Sequence, residues 1–417
     1  SKASIDVLDV LGVDIRDYSP HRRRQMGIGF MPEERNGHDS FGLSLVAQSN
    51  KWWSFGADIE FTQGFLKETQ ESAVQGSRFL SATLPPGKHY DYEVDASLFG
   101  LFIRADHPLS EKASISGGVR FQYTNYRYDN KMIDGRTKED GTTCGFGGCR
   151  FSRPSDREDS FSNLSPNIGF IYKFNSSSQA YTSLARGFRA PQTTELYRLQ
   201  NQQEVANIDE VELDSIEIGF RSQGERSVFS ISAFSMKKDN FIFRDTQRQN
   251  VDSGETIHRL LEVALYYLII SRFSTSTSFT YAKHQYDNSP GISRENIEGN
   301  IIDTAPKTLG SARLSWEPTD KLDFEFEWVH IGSYFQDPGN QHKYPGHDLF
   351  HLRTEFEIDK YGSTVFAHFK NLEDKDYAER ADFAFGSHRY FVGLSLIHIS
   401  EPTRQAEISY AVFCLKK

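Results

Sequence analysis

Three groups of residues in this sequence have types and spacings that could do chemistry. Cys144 and Cys149 stand among glycines in the segment DGTTCGFGGCRFSRP. Such a pair could close a disulfide, remain as two free thiols, or join a metal site. A closed metal site needs about four ligands, more Cys and His than residues 127–163 hold. The same stretch carries Lys131, Arg136, Lys138, Arg150, Arg153 and Arg157. Guanidinium groups grip carboxylates with two parallel hydrogen bonds, so this set could attract an anionic ligand. Asp134, Glu139, Asp140, Asp156, Glu158 and Asp159 nearly balance it, and a solvated loop with internal ion pairs is the plainer reading. His342, His347 and His351 form the third group. Histidine is a common metal ligand, but these spacings match no defined site, and no resident metal is expected.

Catalysis has little to work with. No GxSxG, HExxH or P-loop occurs, so no enzyme is expected. Rows of carboxylates such as Asp323, Glu325 and Glu327 repeat with a period of two. That spacing fits a polar wall better than a catalytic pair. Composition narrows the class further. The 417 residues include 47 Lys+Arg and 57 Asp+Glu, a net charge of −10. An acidic chain is a poor nucleic-acid binder, because phosphate contacts need a basic surface. Aromatics reach 13%, with 33 Phe and 19 Tyr, which excludes a disordered chain. No run of 18 apolar residues is present, so no transmembrane helix is expected. The longest apolar stretch, residues 260–270, is interrupted by Glu262.

The elements that must position these groups are strands. In residues 322–328, Leu322, Phe324, Phe326 and Trp328 alternate with Asp323, Glu325 and Glu327. Residues 113–123 and 350–358 repeat the pattern, as do 41–47, 53–61, 168–174 and 273–281. A β-sandwich could leave the polar face in solvent; a transmembrane barrel would turn it toward a water-filled lumen. Connection lengths decide between them. Short turns near 49–52, 107–112, 174–179, 222–227, 270–273, 317–321 and 359–363 alternate with long connections at 65–90, 127–163, 189–210, 241–256, 285–305, 333–347 and 372–387. Outer-membrane barrels have short periplasmic turns and long extracellular loops. The expectation is all-β: a transmembrane antiparallel β-barrel of about sixteen strands, one near residues 3–16 and the last at 388–394. An exterior loop meets oxidising conditions, where a Cys144–Cys149 disulfide can persist.

A family resemblance sits on several motifs. Residues 185–200 read ARGFRAPQTTELYRLQ, residues 371–377 read NLEDKDY and residues 386–393 read GSHRYFVG. Together these resemble TonB-dependent outer-membrane receptors, and the cysteine-bearing loop is similar to that of members taking up ferric siderophores. The resemblance covers residues 1–393. It implies a plugged 22-stranded barrel in the bacterial outer membrane. Its implied function is active transport of an iron chelate, energised by the TonB–ExbB–ExbD complex through the plug. The siderophore would be cargo; no cofactor is implied, and outer-membrane lipid is the remaining partner. Sixteen strands against 22 suggest a C-terminal barrel fragment without plug or TonB box. Arg150 and Arg153 in the long loop would face the ligand. Arg189, Gln192, Glu195, Tyr197 and Arg198 would line the mouth toward ligand or plug, unless they only build a turn. The box at 188–191 also occurs in haem receptors, but the expected downstream histidine and second box are lacking. The alternative function is a passive diffusion porin, for which sixteen strands would be normal; a barrel enzyme is a third. Residues 394–417 resemble translated sequencing adapter, in the strings LSLIHISEPTR and ISYAVFCL, and are expected to be a non-native tail.

Overall fold

The computed structural model describes residues 9–10, 13–14, 38–49, 52–72, 78–358 and 363–378. Fourteen strands form one antiparallel sheet in which sequence neighbours are sheet neighbours. They are β1 (His38–Ser49), β2 (Trp53–Gln70), β3 (Gly87–Pro108), β4 (Ala113–Asn130), β5 (Arg157–Lys173), β6 (Ser178–Arg189) and β7 (Val211–Gln223). The meander continues through β8 (Ser227–Arg244), β9 (Asn250–Ile270), β10 (Phe273–Tyr286), β11 (Thr308–Thr319), β12 (Leu322–Ile331), β13 (His347–Ile358) and β14 (Ser363–Phe369). Among the described residues two short helices sit in long connections: α1 (Arg78–Thr83) and α2 (Thr193–Tyr197).

Register gives the wall its two faces. Leu314 pairs with Phe326 and Arg313 with Glu327, so apolar side chains stack on one face and charged ones on the other. The apolar face is exposed at Phe41, Leu45, Phe170, Ile218, Phe279, Trp316 and Phe326, as a lipid-facing surface must be. The opposite face is knitted by polar pairs. Arg313 donates to Glu327 at 2.7 Å, Arg353 binds Glu355, and Arg120 binds Asp58. The carboxylate row thus lies on the polar wall. Close approach on that wall requires glycine at Gly219: a Cβ there would lie 2.4 Å from the Tyr181 ring, whose hydroxyl donates to Glu217 at 2.5 Å.

Strands of up to 22 residues exceed the 9–11 needed to cross a bilayer. Roughly the first ten residues above each short turn span it, and the upper halves stand outside. The buried core lies there, among the upper strands and the loops folded between them: Tyr90, Tyr92, Tyr128, Phe151, Leu196 and Tyr197 are members.

Three expectations need correction or bounding. No strand of residues 3–16 joins the large sheet among the described residues; Asp9–Val10 and Val13–Asp14 pair only with each other. The strand expected at 388–394, and the whole segment 394–417, lie outside the described residues, so fourteen sheet strands are described where sixteen were expected. The long connection expected at 241–256 is short, because pairing runs up to Arg244 and Asn250. The polar run that reads as a loop start is absorbed by bulges between Lys238 and Phe243. Asn240 there takes φ 54°, a left-handed conformation that asparagine tolerates. Asp245 closes the remaining turn by accepting from the Gln247 and Gln249 amides.

Candidate functional site at the barrel mouth

Two long connections, residues 131–156 and 190–210, meet over the upper strands. Phe151–Ser152 and Leu199–Gln200 pair as a small antiparallel ladder between them. Cys144 and Cys149 are joined by a disulfide with Cα atoms 4.7 Å apart, and both are buried. Arg136 donates from Nε to the Cys149 carbonyl at 2.9 Å, which holds the closed turn against the rest of the loop. Thiol labelling of the full-length protein is expected to fail at both positions until a reductant is added. Ready labelling without reductant would contradict the bridge.

Arg153 is the pivot of this loop. Only 2% exposed, it donates from Nε to the Ile133 carbonyl (2.6 Å), from Nη1 to His89 (3.0 Å) and from Nη2 to Thr137 (2.7 Å). Its guanidinium also lies over the Phe151 ring. Arg150 contributes through its backbone, donating to the Thr83 carbonyl of α1 and accepting from Asn201; its side chain is half-buried.

The second connection turns on α2. The chain enters through Ala190 and Pro191, and Gln192 is the N-cap. Its amide donates to Glu195 Oε2 at 2.7 Å, and Arg189 grips both oxygens of the same carboxylate at 2.9 and 3.1 Å. A carboxylate in the first turn also suits the positive helix end. Tyr197 then points into the core. Its ring stacks on Tyr128 with centroids 4.4 Å apart, and its hydroxyl donates to Asp159 at 2.8 Å. Burial, and then the nearby Asp159, push that phenol well above the usual tyrosine range. Arg198 donates to Glu68 at 2.8 Å and lies over the Tyr90 ring. The seven residues that the sequence places at the ligand or the mouth, Glu195 among them as the partner of Arg189, therefore share one assembly, but unequally. Arg153 and Tyr197 are buried with their polar groups engaged, whereas Arg150, Arg189, Gln192 and Arg198 are half-buried at its surface.

The histidine group is not brought together. His342 pairs with Asp337 at 3.1 Å, His347 with the Tyr344 hydroxyl at 2.8 Å, and His351 accepts from the Asn371 amide at 3.0 Å.

Residues that the sequence reading passed over line the polar face beneath these loops. Met236, His258 and His284 are cross-strand partners in one row, all buried. The two imidazoles face each other with Nδ1 atoms 2.7 Å apart, and His258 Nε2 meets the Thr256 hydroxyl at 3.0 Å. At that separation only one proton fits between the rings. Burial, then His284 and Lys238, push His258 down to about 3. Lys238 stands on the same face, with its ammonium 5.5 Å from the Phe241 ring centroid. It has no carboxylate partner among the described residues. Burial and the neighbouring Arg189 hold it below the usual lysine range. Arg244, exposed at the strand end, lies near Arg198.

The dyad sets a pH dependence. A base depressed in the folded state takes up fewer protons than the unfolded chain between about 3 and 6.5, so stability rises with pH across that window and is lost as pH falls below 6.5. Protection from hydrogen exchange around residues 254–260, after correction for the intrinsic amide rate at each pH, is expected to fall from pH 7 to pH 5, and His258→Gln to flatten that change. Equal slopes in both proteins would contradict a neutral dyad.

Residues 9–372 match the family profile described as TonB dependent receptor-like, beta-barrel. The chain belongs to the TonB-dependent receptor family. The family is one of outer-membrane receptors and transporters, and the barrel lies in the bacterial outer membrane. Curated relatives include the ferric aerobactin receptors of Klebsiella pneumoniae, 21% identical over 365 residues, and of Escherichia coli, 21% over 371; each alignment covers 81% of this chain and 48% of the relative. The chain thus spans about half the length of the curated relatives it matches. Among solved structures, the closed form of the ferric-catecholate import receptor Fiu from E. coli K12 superposes with TM-score 0.63 at 13% identity, over 84% of this chain and 52% of that one. The siderophore receptor PiuA from Acinetobacter baumannii gives 0.60 at 14%, over 84% and 53%. These superpositions speak for the fold alone. As a receptor barrel, the chain has its short turns on the periplasmic side and its folded mouth on the exterior. Membership in this receptor family decides against the porin alternative.

Proposed function

We propose that the protein takes up an anionic ferric chelate across the outer membrane, energised through TonB. The observation that carries this reading is Lys238, a half-buried cation on the polar face below the folded loops, with Arg189 beside it and no carboxylate partner among the described residues. A desolvated cation without a counter-charge is costly, and an anionic cargo would supply the missing charge. Arg189, Arg198 and Arg150 would extend the contact surface, with Gln192 as a neutral donor. Arg153 and Tyr197 would position the loops without touching cargo. Family membership and the ferric-siderophore receptors among its relatives support the cargo class. Coupling to TonB–ExbB–ExbD would act through a plug inside the barrel. Equilibrium binding of anionic and neutral ferric chelates to the full-length protein tests the cargo class: the anionic one should bind more tightly and lose affinity as salt rises. Equal, salt-independent binding would overturn it.

A further inference from the structure

Arg259 and Lys283 are direct cross-strand partners on the outward face of β9 and β10. Neither has a carboxylate partner among the described residues, and like charges placed directly opposite destabilise a strand pair. Their height on the wall is informative. Lys283 stands ten residues above Phe273 at the foot of its strand, and Arg259 eleven above Ile270. At about 3.3 Å per residue and a tilt of about 40°, ten residues climb about 25 Å, the height of the apolar band of such barrels. The pair therefore sits where hydrocarbon ends and the outer headgroups begin. Just below, the outward residues are apolar, including Leu261, Phe279 and Tyr281. Lys307 adds a third cation, its ammonium 5.5 Å from the Tyr281 ring centroid. The other cations on this face of β6 to β11 are paired. Arg186 holds Asp214 with two bonds of 2.7 Å, and Lys237 holds Asp239 and Glu255 at 2.9 and 3.0 Å. On β6 to β11 the uncompensated positive charge of this face is thus that of Arg259, Lys283 and Lys307. Beside it the wall carries an open groove of about 760 Å³, with Ile168, Leu184, Ile216 and Ile257 along it, the paired Arg186, Asp214 and Lys237 also lining it, and Arg259 at its rim.

We propose that this is a binding site for a phosphate-bearing lipid of the outer leaflet. Its phosphate would bridge Arg259 and Lys283, with Lys307 alongside, and an acyl chain would lie in the groove. Guanidinium and ammonium groups both bind phosphate through charge-assisted hydrogen bonds, and the bridging anion would relieve the like-charge pair. A free anion would use the cations and leave the groove unused, whereas a neutral lipid would use only the groove. The joint presence of both features at one height selects a lipid that carries phosphate.

Native mass spectrometry of the full-length protein in detergent tests this. The probes are a diphosphorylated glycolipid, its dephosphorylated analogue and inorganic phosphate. The wild-type protein should retain one phosphorylated lipid, and Arg259→Ala with Lys283→Ala should lower its retention at least tenfold. Arg259→Lys should keep it. Folding is checked by the mobility difference between heated and unheated protein. Should the double variant not fold, Lys307→Ala and the loss of wild-type retention with rising salt give the same reading. Four results would overturn the proposal: equal retention of the dephosphorylated analogue, unchanged retention in the folded variants, inorganic phosphate displacing the lipid at equal concentration, or protein dimers that carry no lipid.

Discussion

Arg153→Ala is expected to open the mouth of the barrel while leaving its wall intact. The substitution orphans the carbonyls of His89, Ile133 and Thr137. Each buried acceptor left without a donor costs about 1–3 kcal/mol. The loss falls on one local unit, because two of these bonds close the long loop on itself and the third ties it to the upper end of β3, and none runs strand to strand across the membrane. Hydrogen exchange over residues 131–156 should quicken on the order of a hundredfold, since about 1.4 kcal/mol is a factor of ten. Amides of β11 to β13 should not change. Arg153→Lys should recover only part of the protection, because a point charge cannot reproduce the planar fork that reaches three carbonyls at once. Unchanged exchange in the loop would show that the mouth is held by something else.

Lys238→Glu should produce the largest loss in cargo binding. One unit charge about 6 Å away is worth about 2–3 kcal/mol in an effective dielectric of about 20, and charge reversal turns that attraction into repulsion. A loss of a hundredfold or more is expected for an anionic ferric chelate, with Lys238→Gln in between and a neutral chelate little affected. The variant should fold, because a carboxylate at this position gains Arg189 as a neighbour. Affinity for the anionic chelate within a factor of about three of wild type would remove Lys238 from the site and leave the mouth arginines to explain binding.

The wall was legible in the sequence because period-two alternation is local: each of Phe324, Phe326 and Trp328 declares its face by its neighbours. The rhythm of short and long connections was legible for the same reason. The mouth was harder. Arg153 and Tyr197 could be singled out by type and motif, but not their burial, which depends on two loops meeting across strands far apart in sequence. His258 and His284 show the limit well. Both rise from the same short turn, so hairpin counting nearly pairs them. Counting from the Ile270–Phe273 pair, however, would set His258 opposite Gln285. The irregularity between Leu268 and Ile270 shifts the register by one and brings the histidines face to face. Lys238 carried a fainter signal: in a strand, Lys237 and Lys238 must face opposite ways, so one of them had to turn toward the polar wall. The pairing of Asp9–Val10 with Val13–Asp14, in place of a strand in the large sheet, was not legible because a short apolar run cannot say what it will pair with.

The most direct test of the central claim is radioiron uptake by a bacterium lacking its own receptors and expressing the full-length protein. Cells are supplied with an anionic ferric chelate, with TonB present or deleted. Accumulation that requires TonB and falls sharply with Lys238→Glu is the result expected here. Accumulation at the same rate without TonB, or no accumulation from any anionic ferric chelate by a correctly folded barrel, would contradict it.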